Sequence, residues 1–196
     1  MDDDLGPIAL GVVVERDRGS LPFALLHGEP LVACAAWAMG EAGVQLLDLT
    51  TPWEAVREAE LPLVWHDALC AMTPPDFLAT CVRRAVADGV VVAGVLPVTD
   101  TVKELVSSTG PGRGDGQEIP RVGVTHDREG LRRLASPLVL PADVVAGLGD
   151  WPSTDFATAL AALRAGHEVL LLEAPASAHR VRSLEDLPGL EALTAP

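Results

Sequence analysis

An α/β fold with a mainly parallel sheet is what this sequence predicts, on three observations. Short apolar, β-branched runs at 8–14, 44–49, 61–65, 90–96 and 169–173 alternate with stretches of helical periodicity. Residues 61–103 read as one complete strand, helix, strand unit, and no internal repeat interrupts the alternation.

The first strand, 8–14, runs into a loop, 15–23, that carries Arg16 and Arg18 beside two acids. Pro30 starts a helix to Met39, ended by Gly40 or Gly43. A strand at 44–49 and a short helix at 52–60 lead into the central unit. There the run 61–65 ends at His66 and Asp67, and the run 90–96 ends at Pro97; both are apolar enough to be buried on two faces. The helix between them is predicted to be capped by Thr73, with Pro74 in its first turn and Asp76 reaching back to the cap. Phe77, Leu78, Cys81, Val82, Ala85 and Val86 form its apolar stripe. A right-handed crossover makes the two strands parallel. His66 and Asp67 then emerge with Asp100, Thr101 and Lys103 at one carboxyl-terminal sheet edge, where open α/β sheets bind ligands.

Beyond Lys103, short strands at 104–106 and 119–124 flank a glycine-rich stretch around Gly110–Gly116, which reads as a protruding hairpin arm over 104–126 suited to reaching a partner subunit. Residues 127–134 are predicted helical, as is the short stretch 141–148. Ser153, Thr154 and Asp155 can cap a helix to 165, followed by Gly166. The run 169–173 is the last buried strand, and Ser183 with Asp186 makes a capping box for a final helix to 193.

Composition bounds the function. The 196 residues suffice for one domain with a real core, and 48% are hydrophobic. A net charge of −14 disfavours nucleic acid or an anionic membrane as partner, but leaves room for a small anion held by a local cluster of cations. Cys34, Cys70 and Cys81 are odd in number and show no C-x-x-C spacing, which points to a reduced, cytoplasmic setting rather than a disulfide or zinc framework. The acidic start Met1–Asp4 is the reverse of a signal peptide, so no targeting segment is expected. Lys103 is the sole lysine, and it lies at the predicted ligand edge.

The sequence holds no phosphate-binding G-x-x-x-x-G-K-[ST] loop, no G-x-G-x-x-G, no G-x-S-x-G and no H-E-x-x-H. What remains is the carboxyl edge, with Asp67, Asp100, Thr101, Lys103, Asp127, Arg128 and Arg180. A carboxylate able to hold a metal, a hydroxyl and several cations are the groups that phosphoryl or nucleotidyl transfer requires, because its transition state spreads negative charge over phosphate oxygens.

Five segments, HDA at 66–68, PVTDTVK at 97–103, THDREGLRRLASP at 125–137, STDFA at 153–157 and HRVRSLEDL at 179–187, resemble in order the motifs of the 2-C-methyl-D-erythritol 4-phosphate cytidylyltransferases. The resemblance implies a single Rossmann-like nucleotidyltransferase domain over 1–196, a homodimer clasped by the arm, and transfer of CMP from CTP to a sugar-alcohol phosphate with release of pyrophosphate and help from Mg²⁺. By the same resemblance Asp67 lies near metal and ribose and Thr101 faces the sugar phosphate. Arg128 reaches the neighbouring subunit's substrate phosphate, Ser136 stands at a threonine position, and Arg180 replaces a phosphate-contacting lysine. Lys103 joins Arg180 and either Arg16 or Arg18 as the cations of the reaction.

The sequence also departs from that pattern. The family's glycine-rich first loop is shortened here, with Pro22-Phe23 where a P-K pair is expected, and only Arg16 or Arg18 is available to replace its arginine. Cys70 occupies the place of a further arginine, and the stretch between Val44 and Leu61 is too short for the segment that binds cytidine. Each lost transition-state cation costs about a hundredfold or more in rate. The expectation is therefore a divergent relative with weak or lost activity. The alternatives are a non-catalytic protein that binds a nucleotide or a subunit, and a transferase with different substrates.

Overall fold

The computed structural model describes residues 7–107 and 120–195. The acidic start and the glycine-rich segment 108–119 lie outside the described residues. Two compact units are present, residues 1–96 with 134–196, and residues 97–133.

The larger unit is built on six strands in the order β10 (Val169–Glu173), β6 (Val91–Pro97), β9 (Arg132–Leu140), β5 (Leu63–Asp67), β1 (Ala9–Val14) and β4 (Val44–Leu46). The pairs β1/β4, β1/β5 and β6/β10 are parallel, and β9 runs antiparallel to β5. This is the mainly parallel sheet that the alternating runs predicted. Alternation along the strands separates two cores. Leu10, Val12, Val14, Leu63 and Trp65 pack on one face with residues of α2 (Trp53–Glu58), α4 (Ala142–Gly147) and α5 (Phe156–Arg164). Val64 and Val92 pack on the other with α1 (Leu31–Glu41) and α3 (Pro75–Asp88). The two-residue strands β2 (Leu25–Leu26) and β3 (Glu29–Pro30) pair antiparallel, and a smaller cluster of Leu26, Leu69, Val181 and Leu190 joins β2 to α6 (Leu187–Leu193).

Four details differ from the sequence reading. Residues 127–134, expected to be helical, form one 3₁₀ turn at Arg128–Gly130 and then enter β9. The i, i+3 spacing of Leu131 and Leu134 mimics a helix, but the backbone groups of this segment are taken up by the sheet, which overrides local preference. As a result β9 lies between β5 and β6, which are not neighbours. Thr73 does not cap α3: its hydroxyl donates to the Cys70 carbonyl at 2.7 Å and Pro74 occupies the cap. Strand β10 sits at the sheet edge with every residue at least partly exposed, so it is not a buried strand. Strand β4 ends at Leu46 rather than at 49, and the other boundaries agree closely, including the Asp155 cap, the Ser183–Asp186 capping box and the stripe of α3, of which Val86 alone is largely exposed.

In the smaller unit β7 (Val102–Ser107) and β8 (Pro120–His126) pair antiparallel, as the hairpin reading expected. Leu105, Val106, Val122 and Val124 are exposed there. No helix among the described residues is long and apolar enough to cross a membrane.

At Gly94 strand β6 lies close against β9, and an added Cβ would sit 2.7 Å from the Ser136 carbonyl oxygen. Neither backbone can yield without breaking the sheet. Gly94→Ala is expected to lower unfolding free energy by about 1–3 kcal/mol in urea denaturation. Gly147→Ala, with no atom within 4 Å of the new methyl, should stay within about 0.5 kcal/mol of the parent.

Candidate functional site

Register places the site. Val14 pairs with Asp67, and the Ala68 amide donates to the Val14 carbonyl, so the loop leaving β1 starts beside the end of β5. That loop turns sharply, with Asp17 and Gly19 both at positive φ, and returns Arg18 over Asp67. Asp67 shares the sheet face of Leu63 and Trp65, the face covered by α5.

The guanidinium of Arg18 meets the Asp67 carboxylate through two bonds, Nε to Oδ1 at 3.2 Å and Nη2 to Oδ2 at 3.3 Å. Arg180 arrives from the segment before α6 and donates Nε to Oδ2 at 2.9 Å. Asp67 is 3% exposed, and its Oδ1 also accepts the Leu69 amide at 3.0 Å. The Arg180 segment is fixed by the Val181 amide donating to the Leu69 carbonyl at 2.8 Å. Arg18 donates further to the Thr154 carbonyl at 2.7 Å and to the Arg16 carbonyl at 3.1 Å.

Two indoles hold the Thr154 loop in place. Trp65 Nε1 donates to the Ser153 carbonyl and Trp53 Nε1 to the Leu148 carbonyl, each at 3.0 Å, while both rings pack against Trp151 with centroids 5.8 and 5.0 Å away. These aromatic anchors bring the start of α5 to the arginines. A cleft of about 220 Å³ results, lined by Arg18, Asp67, Cys70, Leu134, Ala135, Asp155, Phe156, Ala157 and Arg180. That is smaller than the roughly 300–1,000 Å³ of most small-molecule pockets. A second hollow of about 730 Å³, walled by Leu26, Trp37, Met72 and Pro74, has no arginine or lysine in its lining. Of these two hollows, only the smaller is lined by arginine.

Behind Asp67, Ser136 is fully buried, and its Oγ accepts the Asp67 amide at 3.0 Å and shares a 2.6 Å hydrogen bond with His66 Nδ1. Its hydroxyl is thus spent inside the protein, joining β9 to the end of β5. His66 Nε2 finds no partner among the described residues. Burial holds this imidazole neutral and pushes its pKa down to about 4, against a smaller opposing pull from Asp67. Cys70 is fully buried, and burial pushes its thiol far above the ordinary range, with the Asp67 charge adding to the shift. It is neither a cation nor a nucleophile at neutral pH.

Of the residues named from sequence, Arg18, Asp67, Ser136 and Arg180 are brought together. Arg16 contributes its carbonyl to Arg18, and its own side chain is exposed. Thr101, Lys103 and Arg128 belong to the smaller unit. There Lys103 Nζ donates to Thr125 Oγ1 and Arg128 to the Thr99 carbonyl, while Thr101 is exposed. The sequence reading missed the Thr154 carbonyl as a partner of Arg18. Its one signal was the cap at Ser153–Asp155, which fixes where the backbone turns.

Asp67 does not fit Mg²⁺. Both its oxygens are occupied by guanidinium groups, and Asp155 is committed to the Thr158 amide at 2.7 Å. No group of three or more His, Cys, Asp or Glu able to hold a metal occurs among the described residues.

No protein-family model matches the sequence. A 134-residue stretch is 37% identical to the 2-C-methyl-D-erythritol 4-phosphate cytidylyltransferase of Frankia casuarinae, covering 66% of this chain and 45% of that protein. A 97-residue stretch is 36% identical to the enzyme of the same name from Corynebacterium glutamicum, covering 48% and 34%. Over these stretches the chain is similar to cytidylyltransferases. It spans less than half the length of the curated relatives it matches. The fold is that of solved cytidylyltransferase structures. The Thermus thermophilus 2-C-methyl-D-erythritol 4-phosphate cytidylyltransferase superposes with TM-score 0.65 at 19% identity, over 97% of this chain and 100% of that one. The Anaerococcus prevotii 4-diphosphocytidyl-2C-methyl-D-erythritol synthase superposes with TM-score 0.65 at 11% identity, over 97% and 99%.

The neutral His66 sets a pH dependence. The unfolded chain takes up a proton between an ordinary pKa of 6.5 and the folded value of about 4, and the folded chain does not. Stability is therefore complete above about pH 6.5 and falls as pH drops towards 4, by about 3 kcal/mol at most. His66→Asn should flatten this limb in denaturation series between those pH values. An unchanged pH profile would exclude His66 as its source.

Proposed function

We propose that this protein is a cytidylyltransferase relative whose charged cleft still receives a phosphate group, with transfer of CMP from CTP to 2-C-methyl-D-erythritol 4-phosphate weak or lost. The observation that carries this is the convergence of Arg18 and Arg180 on one buried carboxylate at the carboxyl edge of the sheet. Two guanidinium groups at that edge supply the fork-shaped donors that phosphate oxygens require. The partial homology to named cytidylyltransferases supports CTP and a sugar-alcohol phosphate as the substrate classes.

Weak or lost transfer is supported by what the cleft contains. Arg18 and Arg180 are its only basic side chains, and both are engaged with Asp67. The thiol of Cys70 lies where the resembling family has arginine, and burial keeps it uncharged. A cleft of about 220 Å³ is also small for a nucleoside triphosphate. The exposed apolar residues Leu105, Val106, Val122 and Val124 on the β7/β8 hairpin support a homodimer formed through that arm. Free Cys34, Cys70 and Cys81 suit a reducing cytoplasm.

With two transition-state cations missing, pyrophosphate release from CTP and 2-C-methyl-D-erythritol 4-phosphate should run about 10⁴-fold or more below an intact relative. Turnover within about tenfold of that relative would refute the proposal. Millimolar CTP with Mg²⁺ should raise the melting temperature by only about 1–2 °C, the shift expected when the dissociation constant is itself millimolar. The same assay repeated with ATP, GTP and UTP tests the reading in which a different nucleotide is used.

A further inference from the structure

The carboxylate of Asp67 has four hydrogen-bond donors: Arg18 Nε and the Leu69 amide on Oδ1, Arg18 Nη2 and Arg180 Nε on Oδ2. Two carboxylate oxygens offer about four lone-pair directions, so the group is saturated. The side chain of Arg18 is 7% exposed and that of Asp67 4%, which leaves water little access to this pair. A divalent cation bound there would need a direct oxygen contact at about 2.0–2.1 Å, which displaces at least one donor. It would also stand within a few ångströms of two positive charges in a partly desolvated site, where repulsion is weakly screened.

We infer that Asp67 is a positioning residue that holds Arg18 and Arg180 side by side, and that no divalent cation binds at this carboxylate. This rests on the proposed function only in treating the cleft as a place for an oxyanion. The carboxylate occupies the position between the guanidinium groups that a ligand's phosphate oxygens would take, and it keeps both side chains converged when no ligand is bound. Arg18 is tied to the α5 loop through Thr154, and Arg180 to the loop after β5 through Val181 and Leu69. The pair is therefore preorganised by backbone as well as by charge.

The test measures metal and anion binding without turnover, so it fails or succeeds independently of the transferase assay. Mn²⁺ is titrated by electron paramagnetic resonance into the parent and into Asp67→Asn, which keeps the shape and removes the charge. Equal Mn²⁺ binding by the two is the expected result. In parallel, inorganic pyrophosphate should raise the melting temperature of Asp67→Asn more than that of the parent, because an added anion replaces the missing charge between the arginines. Mn²⁺ binding about tenfold or more tighter in the parent would overturn the inference, as would an equal pyrophosphate shift. If Asp67→Asn does not fold, Arg180→Met serves, since the Arg180 side chain is 39% exposed. It removes one of the two donors on Asp67 Oδ2, leaving Arg18 Nη2 there, and takes away one of the two nearby positive charges, so it should gain Mn²⁺ affinity over the parent; unchanged or weaker affinity counts against the assignment.

Discussion

A buried carboxylate shared by two guanidinium groups organises the working edge of this protein. Asp67 is nearly inaccessible, and an unpaired charge at such depth is costly, so the chain segments that supply its partners must be in place for the fold to close. Those segments are the loop after β1, the strand β5 itself and the stretch before α6. The start of α5 joins them through Thr154. Four remote parts of the sequence thus meet at one ion cluster, and the cleft is the space left around it.

The support for that cluster is largely apolar and aromatic. Trp65 and Trp53 anchor the Ser153–Thr154 turn by their indole N–H groups, and Trp151 fills the gap between their rings. On the other side of the sheet Ser136 links β9 to the last residues of β5, and the neutral His66 is buried beside it. The price of this arrangement is an imidazole that must remain uncharged, with one ring nitrogen lacking a partner. The scaffold under the edge is therefore dense and well packed, and the two arginines that line the cleft lean on a carboxylate of the protein itself.

Much of the chemistry was legible from residue types and order. Asp67 stands out in the sequence because it ends an apolar run, Arg16 and Arg18 are alternatives in the loop after β1, and Arg180 is marked by its place in a matching segment. The mutual contact of Arg18, Asp67 and Arg180 was not legible, because Arg18 and Arg180 lie 49 and 113 positions from Asp67 and nothing local relates them. Ser136 was legible only as a hydroxyl in a matching segment. That it faces inward follows from β9 being a strand, which the helical spacing of Leu131 and Leu134 concealed.

Local sequence accounts for the alternation of elements, the parallel character of most of the sheet and the caps of α5 and of the turn before α6. These depend on hydrophobic period and on side chains bonding to backbone a few residues away, both of which are local. The tertiary structure alone decided that β9 enters the sheet between β5 and β6. It also decided that Gly94 must remain without a side chain, and that Asp67 is closed by two arginines rather than left open to a metal. Each of these depends on which distant segment arrives beside which, and that is set by burying the two faces of one sheet at once.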